Sequence, residues 1–169
     1  TGHALAGLLS GGSLPHKVTI APHGSGALGF TQPGTSGNEY LQTKDELLGR
    51  LVGLMGGTVA EKLVYGQAST GASNDLEKAN NIAWHMVAKL GMSEKIGSLV
   101  SLESRSGGPA LSERTKRAID EEVKRLLDEA HQQALKILTE RRDALEAMVQ
   151  VLMERETIYA EEVEQIVNA

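Results

Sequence analysis

Five histidines and many carboxylates are the side chains of this sequence that could do chemistry. The histidines are His3, His16, His23, His85 and His131, and the 169-residue chain has no cysteine. A metal would therefore need imidazole and carboxylate ligands, and a disulfide framework, a thiolate zinc site and a cysteine nucleophile are excluded. We interpret His85 and His131 as ordinary residues of long helices, and His16 and His23 as polar residues flanking a strand.

His3 differs from the others because it lies in the run TGHALAG at positions 1–7, at the start of an apolar helix. In zinc proteases the pattern H-E-x-x-H puts two histidines on one helical face, with the glutamate beside the metal as base. If His3 is the second histidine of an H-E-x-G-H motif, the first histidine and the glutamate occupy the two positions just before Thr1. The chain is then an excised fragment. The alternative is a partly buried histidine near a frayed terminus.

The first hundred residues are rich in glycine and predict mixed structure around His3. Residues 3–9 form a short helix closed by the glycines at 11 and 12. Residues 17–20 alternate polar and apolar side chains, which indicates a strand with one buried face, and residues 27–31 predict a second strand. A turn at 23–26 joins the strands, and the composition of residues 33–39 indicates a loop.

Two helical regions follow the strands. The pattern T-x-x-E at 43–46 is a capping box, and apolar residues at helical spacing continue from 47 to 55. Gly56 and Gly57 are expected to interrupt this helix, with a second short helix at 59–64. Ser73 or Asn74 is expected to cap a further helix over residues 75–90, ended by a glycine at 91.

The chain changes character after residues 101–111, which we interpret as a linker. Residues 112–167 predict nearly continuous helix with a charged outer face. A break near 139–143 lets a helix over 144–156 fold back, and residues 157–167 predict a last short helix. The pattern indicates a small antiparallel helical subdomain. We expect one unit at 1–100, the linker at 101–111 and a second unit at 112–169.

The overall composition narrows the functional classes. The net charge is −5, the sequence has no block of lysine and arginine, and nucleic-acid binding therefore has no electrostatic support. No apolar run approaches the ~20 residues that span a bilayer, and no signal peptide is evident. The pattern G-x-x-x-x-G-K-[ST] is absent, so we expect no ATP site within these residues.

Eight stretches of the sequence match one known family in order. They are TGHALAG at 1–7, HKVTI at 16–20, ALGFTQ at 27–32, MGGTVAE at 55–61, STGASNDL at 69–76, GMSEKIG at 91–97, IDEEV at 119–123 and ERET at 154–157, and STGASNDL is the most specific of them. Through these stretches the sequence closely resembles the peptidase domain of the FtsH family of membrane-anchored AAA+ ATP-dependent zinc metalloproteases. The resemblance implies a mainly α fold, in which a helical zinc-peptidase core with a small β-sheet precedes a C-terminal antiparallel helical subdomain.

The same resemblance implies roles for individual residues. His3 corresponds to the second zinc ligand and Asp75 to the third, while Glu61 corresponds to a carboxylate beside the metal that can accept the ring N–H of a ligating histidine. Without the resemblance, Asp75 reads as a charge at a helix start and Glu61 as an exposed helix residue. The general-base glutamate is expected just before Thr1, so the fragment holds two ligands and no base.

The two predicted strands resemble the small sheet beside the family's active site. An extended substrate would add to the free edge of that sheet, with Val18, Ile20, Leu28 and Phe30 as substrate-binding residues. The implied cofactor is Zn²⁺, with ATP and Mg²⁺ confined to an absent AAA+ domain. The implied substrates are unfolded or membrane polypeptides.

The resemblance also implies a homo- or hetero-hexamer and a membrane anchor in absent N-terminal segments, with the fragment itself soluble. The parent would lie in the mitochondrial or bacterial inner membrane or the chloroplast, and the short segment at 101–111 looks more like the organellar branch. His23 and Lys62 depart from the residues usual in the family, arginine and glutamate. The alternative function is a non-catalytic hexamer-assembly or scaffold domain. A plain helical interaction domain leaves the ordered match of the first 97 residues unexplained.

Overall fold

The structure is a computed structural model that describes residues 1–21, 29–32, 41–99, 101 and 110–169. The described part is mainly helical with one small antiparallel sheet, as the sequence predicts. Its elements are α1 (Gly2–Leu9), β1 (Lys17–Thr19), β2 (Phe30–Gln32), α2 (Lys44–Tyr65), a 3₁₀ turn (Thr70–Ala72), α3 (Ser73–Ala88), α4 (Glu113–Glu140), α5 (Arg142–Arg155), β3 (Thr157–Tyr159) and α6 (Ala160–Asn168). No helix among these residues is both long and apolar enough to cross a bilayer.

Helix α2 begins at the predicted capping box. The Thr43 side chain accepts a hydrogen bond from the Glu46 backbone N–H at 3.3 Å, and the Glu46 carboxylate accepts one from the Thr43 N–H at 2.7 Å. The predicted interruption at Gly56 and Gly57 is wrong, because α2 continues to Tyr65. The glycines allow close helix packing instead: a Cβ atom on Gly56 would lie 2.4 Å from the carbonyl oxygen of Gly2 in α1.

Helix α3 forms close to the predicted range but starts differently. It begins at Ser73, its N-cap residue is Ala72, and that residue makes no side-chain capping hydrogen bond. The predicted cap at Ser73 or Asn74 is therefore wrong, because the preceding 3₁₀ turn already leads the chain into the helix. The helix ends at Ala88, and Gly91 adopts a φ of 64° as the chain turns away.

The chain turns at Arg141, inside the predicted break, and α5 then contacts α4, α6 and β3. The prediction of helix from residue 157 is wrong for Thr157–Tyr159, which forms β3. Ile158 is fully buried and pairs with Val18 of β1, so tertiary pairing outweighs any local helical tendency of this short segment.

The sheet has the strand order β2-β1-β3, with both pairings antiparallel. β1 is one residue shorter than predicted, and the expected burial of Val18 and Ile20 on one face holds only for Val18. Ile20 is 41% exposed, whereas Thr19 is buried. Thr19 tolerates burial because its hydroxyl donates to the carbonyl of Glu156 at 3.0 Å. Residues 27 and 28 of the predicted second strand lie outside the described residues.

Buried aliphatic side chains from both predicted units belong to one cluster. Its largest fully buried members include Leu5, Leu51 and Met86 from the first unit, and Leu138, Met148 and Ile158 from the second. α4 packs against both α2 and α3. The division at 1–100, 101–111 and 112–169 stays a prediction, and most of the linker lies outside the described residues.

A buried carboxylate joins α4 to the segment after α3. The Ser93 hydroxyl donates a hydrogen bond to the Glu122 carboxylate at 2.7 Å. Two guanidinium nitrogens of Arg125 donate hydrogen bonds to the same carboxylate at 3.0 and 3.1 Å. The hydrogen bonds from Arg125 and then Ser93 hold the pKa of Glu122 below its ordinary value. This network fixes the polypeptide that leaves the C-terminal end of α3.

Candidate metal centre

His3 and Asp75 come together although 72 positions separate them in the sequence. Nε2 of His3 lies 2.8 Å from Oδ2 of Asp75. The ionised carboxylate can only accept, so the imidazole donates this hydrogen bond. His3 is in the first turn of α1 and Asp75 in the first turn of α3, and both helices pack against α2. Their side chains are 39% and 25% exposed, so both remain within reach of a ligand from solvent.

Gly57 of α2 lies directly beneath the His3 ring. A Cβ atom at this position would lie 2.1 Å from Cε1 and 2.5 Å from Nε2 of His3. Only glycine therefore leaves the imidazole its observed place against α2. Sequence reasoning missed this role because it treated the pair Gly56-Gly57 as a helix break. The pair's place in MGGTVAE, one of the matching stretches, was the signal that pointed to a site.

Glu61 lies one helical turn beyond Gly57 and hydrogen-bonds to Ser69. Its Oε2 accepts the Ser69 backbone N–H at 2.6 Å, and its Oε1 accepts the Ser69 hydroxyl at 3.0 Å. The structure thus brings Glu61 to the loop that precedes Asp75, with no hydrogen bond to His3. Its expected role as acceptor for a ligating histidine stays a prediction. Sequence reasoning did not single out Ser69, although it begins the most specific matching stretch.

A groove of about 930 Å³ runs beside His3 and Asp75. β1 and β2 form one wall, and α2 and α3 the other. Ile20 and Phe30 line the groove with 41% and 36% of their surface exposed, and Val18 also lines it although its side chain is almost wholly buried. Leu28, the fourth expected substrate-binding residue, lies outside the described residues.

Two cations, Arg50 of α2 and Lys78 of α3, also line the groove. Arg50 donates to the side-chain oxygen of Gln42 at 3.0 Å, and neither cation forms an ion pair with a described residue. Asp75 is the only carboxylate among the described groove residues. This groove is thus locally cationic in a chain whose net charge is −5.

An imidazole nitrogen and a carboxylate oxygen that face one groove are donors suited to zinc. Catalytic zinc sites use three protein ligands, and His3 and Asp75 would supply two of them. Across the described ranges, no group of three or more histidine, cysteine, aspartate or glutamate side chains could hold a metal ion. The donor chemistry therefore fits a zinc site to which these residues contribute two ligands.

The remaining histidines lie elsewhere. His16 is exposed, and its backbone forms hydrogen bonds with β2 and with the start of α6. His85 is exposed, and its Nδ1 donates to the carbonyl of Asn81, one turn earlier in α3, at 2.7 Å. Nε2 of His131 is buried and has no hydrogen-bond partner within the described residues. His23 lies outside the described residues.

Comparison with known proteins agrees with this arrangement. The model of peptidase family M41 matches residues 1–166 of the chain. The chain belongs to peptidase family M41. Relatives named "ATP-dependent zinc metalloprotease FtsH" are 41% identical in Bacillus subtilis and 44% identical in Burkholderia pseudomallei, over 99% of this chain in each case. A third, in Rhodothermus marinus, is 43% identical over 93% of the chain.

The chain spans only about a quarter of the length of these M41 relatives. It covers 28% of the Bacillus protein, 27% of the Burkholderia protein and 23% of the Rhodothermus protein. The activity, substrates and partners of a whole M41 protein therefore come to this chain as proposals.

Proposed function

We propose that this chain is the peptidase domain of an ATP-dependent zinc metalloendopeptidase that degrades unfolded or membrane proteins. The observation that carries the proposal is the 2.8 Å approach of His3 and Asp75, both of which line a groove of about 930 Å³. Membership of a peptidase family and relatives named as zinc metalloproteases support it.

In the proposed site His3 and Asp75 would hold zinc, which when bound would act as a Lewis acid that polarises a carbonyl group and activates water. Gly57 leaves room for the imidazole. The first histidine and the general-base glutamate come from the two positions that the H-E-x-G-H motif places before Thr1. On this proposal, residues 1–169 alone bind zinc weakly and are inactive.

The groove supports binding of an extended peptide. Among the described residues β2 is an edge strand of the sheet, and Phe30 of β2 lines the groove, so the proposal is that an extended substrate adds to the sheet at this edge. Backbone pairing carries little sequence information, which suits a degradative enzyme. ATP-driven unfolding, the membrane anchor and assembly into a hexamer belong, in this proposal, to the longer protein.

The test compares the chain as it stands with a version carrying His-Glu ahead of Thr1. We expect the extended protein to bind zinc tightly and to hydrolyse casein without ATP, and we expect a chelator to abolish this cleavage. The unextended chain should cleave no casein. An extended protein that holds one zinc ion yet cleaves no unfolded substrate would overturn the enzymatic proposal and favour the non-catalytic assembly domain.

A further inference from the structure

We propose that Glu61 is a positioning residue that fixes Asp75 through Ser69. The inference rests on the proposed function, because it concerns the carboxylate ligand of the proposed zinc site. It gives Glu61 a different route of action from a hydrogen bond to a ligating histidine.

The contact between Glu61 and Ser69 uses both oxygens of the carboxylate. Oε2 accepts the backbone N–H at 2.6 Å and Oε1 accepts the side-chain hydroxyl at 3.0 Å. Two hydrogen bonds from one residue to one carboxylate define both the position and the orientation of that residue, and bonds to a charged acceptor are stronger than neutral ones. The contact ties Ser69 to the last turns of α2.

Ser69 in turn governs how the chain enters α3. The Ser69 hydroxyl oxygen accepts the backbone N–H of Gly71 at 3.3 Å, which caps the 3₁₀ turn Thr70–Ala72. That turn runs straight into α3, whose N-cap Ala72 offers no side-chain cap. The start of α3 therefore depends on the Ser69 turn rather than on a cap of its own. Asp75 lies in the first turn of that helix, so a displaced Ser69 would displace its carboxylate.

Glu61 acting through Ser69 and Glu61 acting on a ligating histidine predict different effects of mutating Ser69. If Glu61 acts through Ser69, removing the Ser69 hydroxyl must reproduce part of the effect of removing the Glu61 carboxylate. If Glu61 acts on a histidine ring, Ser69 is irrelevant to the metal. A double-mutant cycle measures this difference, because residues acting through one contact give non-additive effects.

The first experiment measures zinc affinity in the protein extended with His-Glu, for Glu61→Ala, Ser69→Ala and the double variant. We expect each single variant to lose about tenfold in affinity, and the double variant to lose no more than the weaker-binding single variant. Glu77→Ala, an exposed glutamate on α3, is the matched control and should bind as wild type. Normal zinc affinity in Ser69→Ala together with a loss in Glu61→Ala would overturn the proposal.

The second experiment needs no metal and uses the chain of 169 residues. Amide hydrogen exchange should accelerate from Ser69 to Asp75 in Glu61→Ala and in Ser69→Ala, while amides in the middle of α4 keep wild-type protection. Unchanged exchange over these residues in Glu61→Ala would overturn the inference, whether or not the extended protein binds zinc. A wild-type extended protein that binds no zinc, with exchange accelerated in the variants as expected, would count against the proposed function alone.

Discussion

At the scale of single residues, the adjacent glycines of α2 face different neighbours. We therefore expect Gly56 to matter for folding and Gly57 for the proposed zinc site. Gly56 faces backbone: an added Cβ atom would lie 2.4 Å from the carbonyl oxygen of Gly2. Gly57 faces the ring of His3, the far end of a side chain that can rotate. A methyl group at position 56 must therefore push two helices apart, whereas one at position 57 need only move the imidazole.

We predict opposite outcomes for alanine at these two positions. Gly56→Ala should lower the free energy of unfolding by about 1–3 kcal/mol, because it overpacks the contact between α1 and α2. Gly57→Ala should leave stability nearly unchanged, because the gain in helix propensity of about 1 kcal/mol offsets the cost of moving the ring. It should nevertheless lower zinc affinity in the extended protein at least tenfold. Urea denaturation and zinc titration of both variants measure the two effects, and Gly57→Ala with normal zinc affinity would remove His3 from the site.

Asp75→Asn separates the two interpretations of Asp75. As a charge in the first turn of α3, Asp75 should contribute at most ~1 kcal/mol, since that is the range of a partly exposed charge interacting with the helix dipole. As a zinc ligand, it should matter more to chemistry than to folding, because asparagine keeps the shape and loses the charge. We expect near-normal melting of the zinc-free extended protein, with reduced zinc affinity and a large loss of peptidase activity. Unchanged activity with a full zinc content would exclude Asp75 as a ligand.

At the scale of elements, the network around Glu122 predicts a pH-dependent contribution to stability. Its folded-state pKa lies below the ordinary value of 4.5, because Arg125 and Ser93 hydrogen-bond to the charged form. A depressed carboxyl pKa stabilises the fold above the unfolded-state pKa, and this contribution is lost as the pH falls through the folded-state pKa.

Glu122→Gln should accordingly lower the free energy of unfolding by about 1–3 kcal/mol at pH 7, since it weakens charged hydrogen bonds in a buried place. The difference from wild type should shrink progressively below pH 4.5. Glu121→Gln is the control, because its partner Lys95 is exposed and the pair is screened by solvent. Urea titrations at several pH values check this, and a difference independent of pH would contradict the assigned cause.

The elements also show what sequence reasoning can reach. The capping box at Thr43, the turn near Arg141 and the helix in which Asp75 lies all follow from local signals within a few residues. The continuity of α2 through Gly56 could not be predicted this way, because the reason for glycine there is a helix that packs from elsewhere in the chain. The resemblance singled out His3, Asp75 and Glu61, but only the fold shows that Glu61 contacts Ser69.

At the scale of the whole molecule, the C-terminal segment completes the sheet beside the groove. β3 pairs with β1, and its Ile158 lies opposite Val18. β1 in turn pairs with β2, which lines the groove with Phe30. A strand from the end of the chain thus supports the wall on which a substrate is proposed to bind. The two predicted units share one buried cluster, so we expect them to unfold together even if each is recognisable as a subdomain.

Ile158→Ala tests this coupling. The side chain is fully buried, so its truncation should lower the free energy of unfolding by about 2–5 kcal/mol. The loss should appear in one transition shared by both units. Trp84 fluorescence reports on α3, and the helical circular dichroism signal includes α4, the longest described helix. We expect the two probes to give the same unfolding midpoint. Val149→Ala, which truncates an exposed aliphatic residue of α5, should change stability little because alanine favours helix. Two separated transitions in wild type or in Ile158→Ala would show that the units fold independently. In that case β3 would pair with β1 without being required for the stability of residues 1–100.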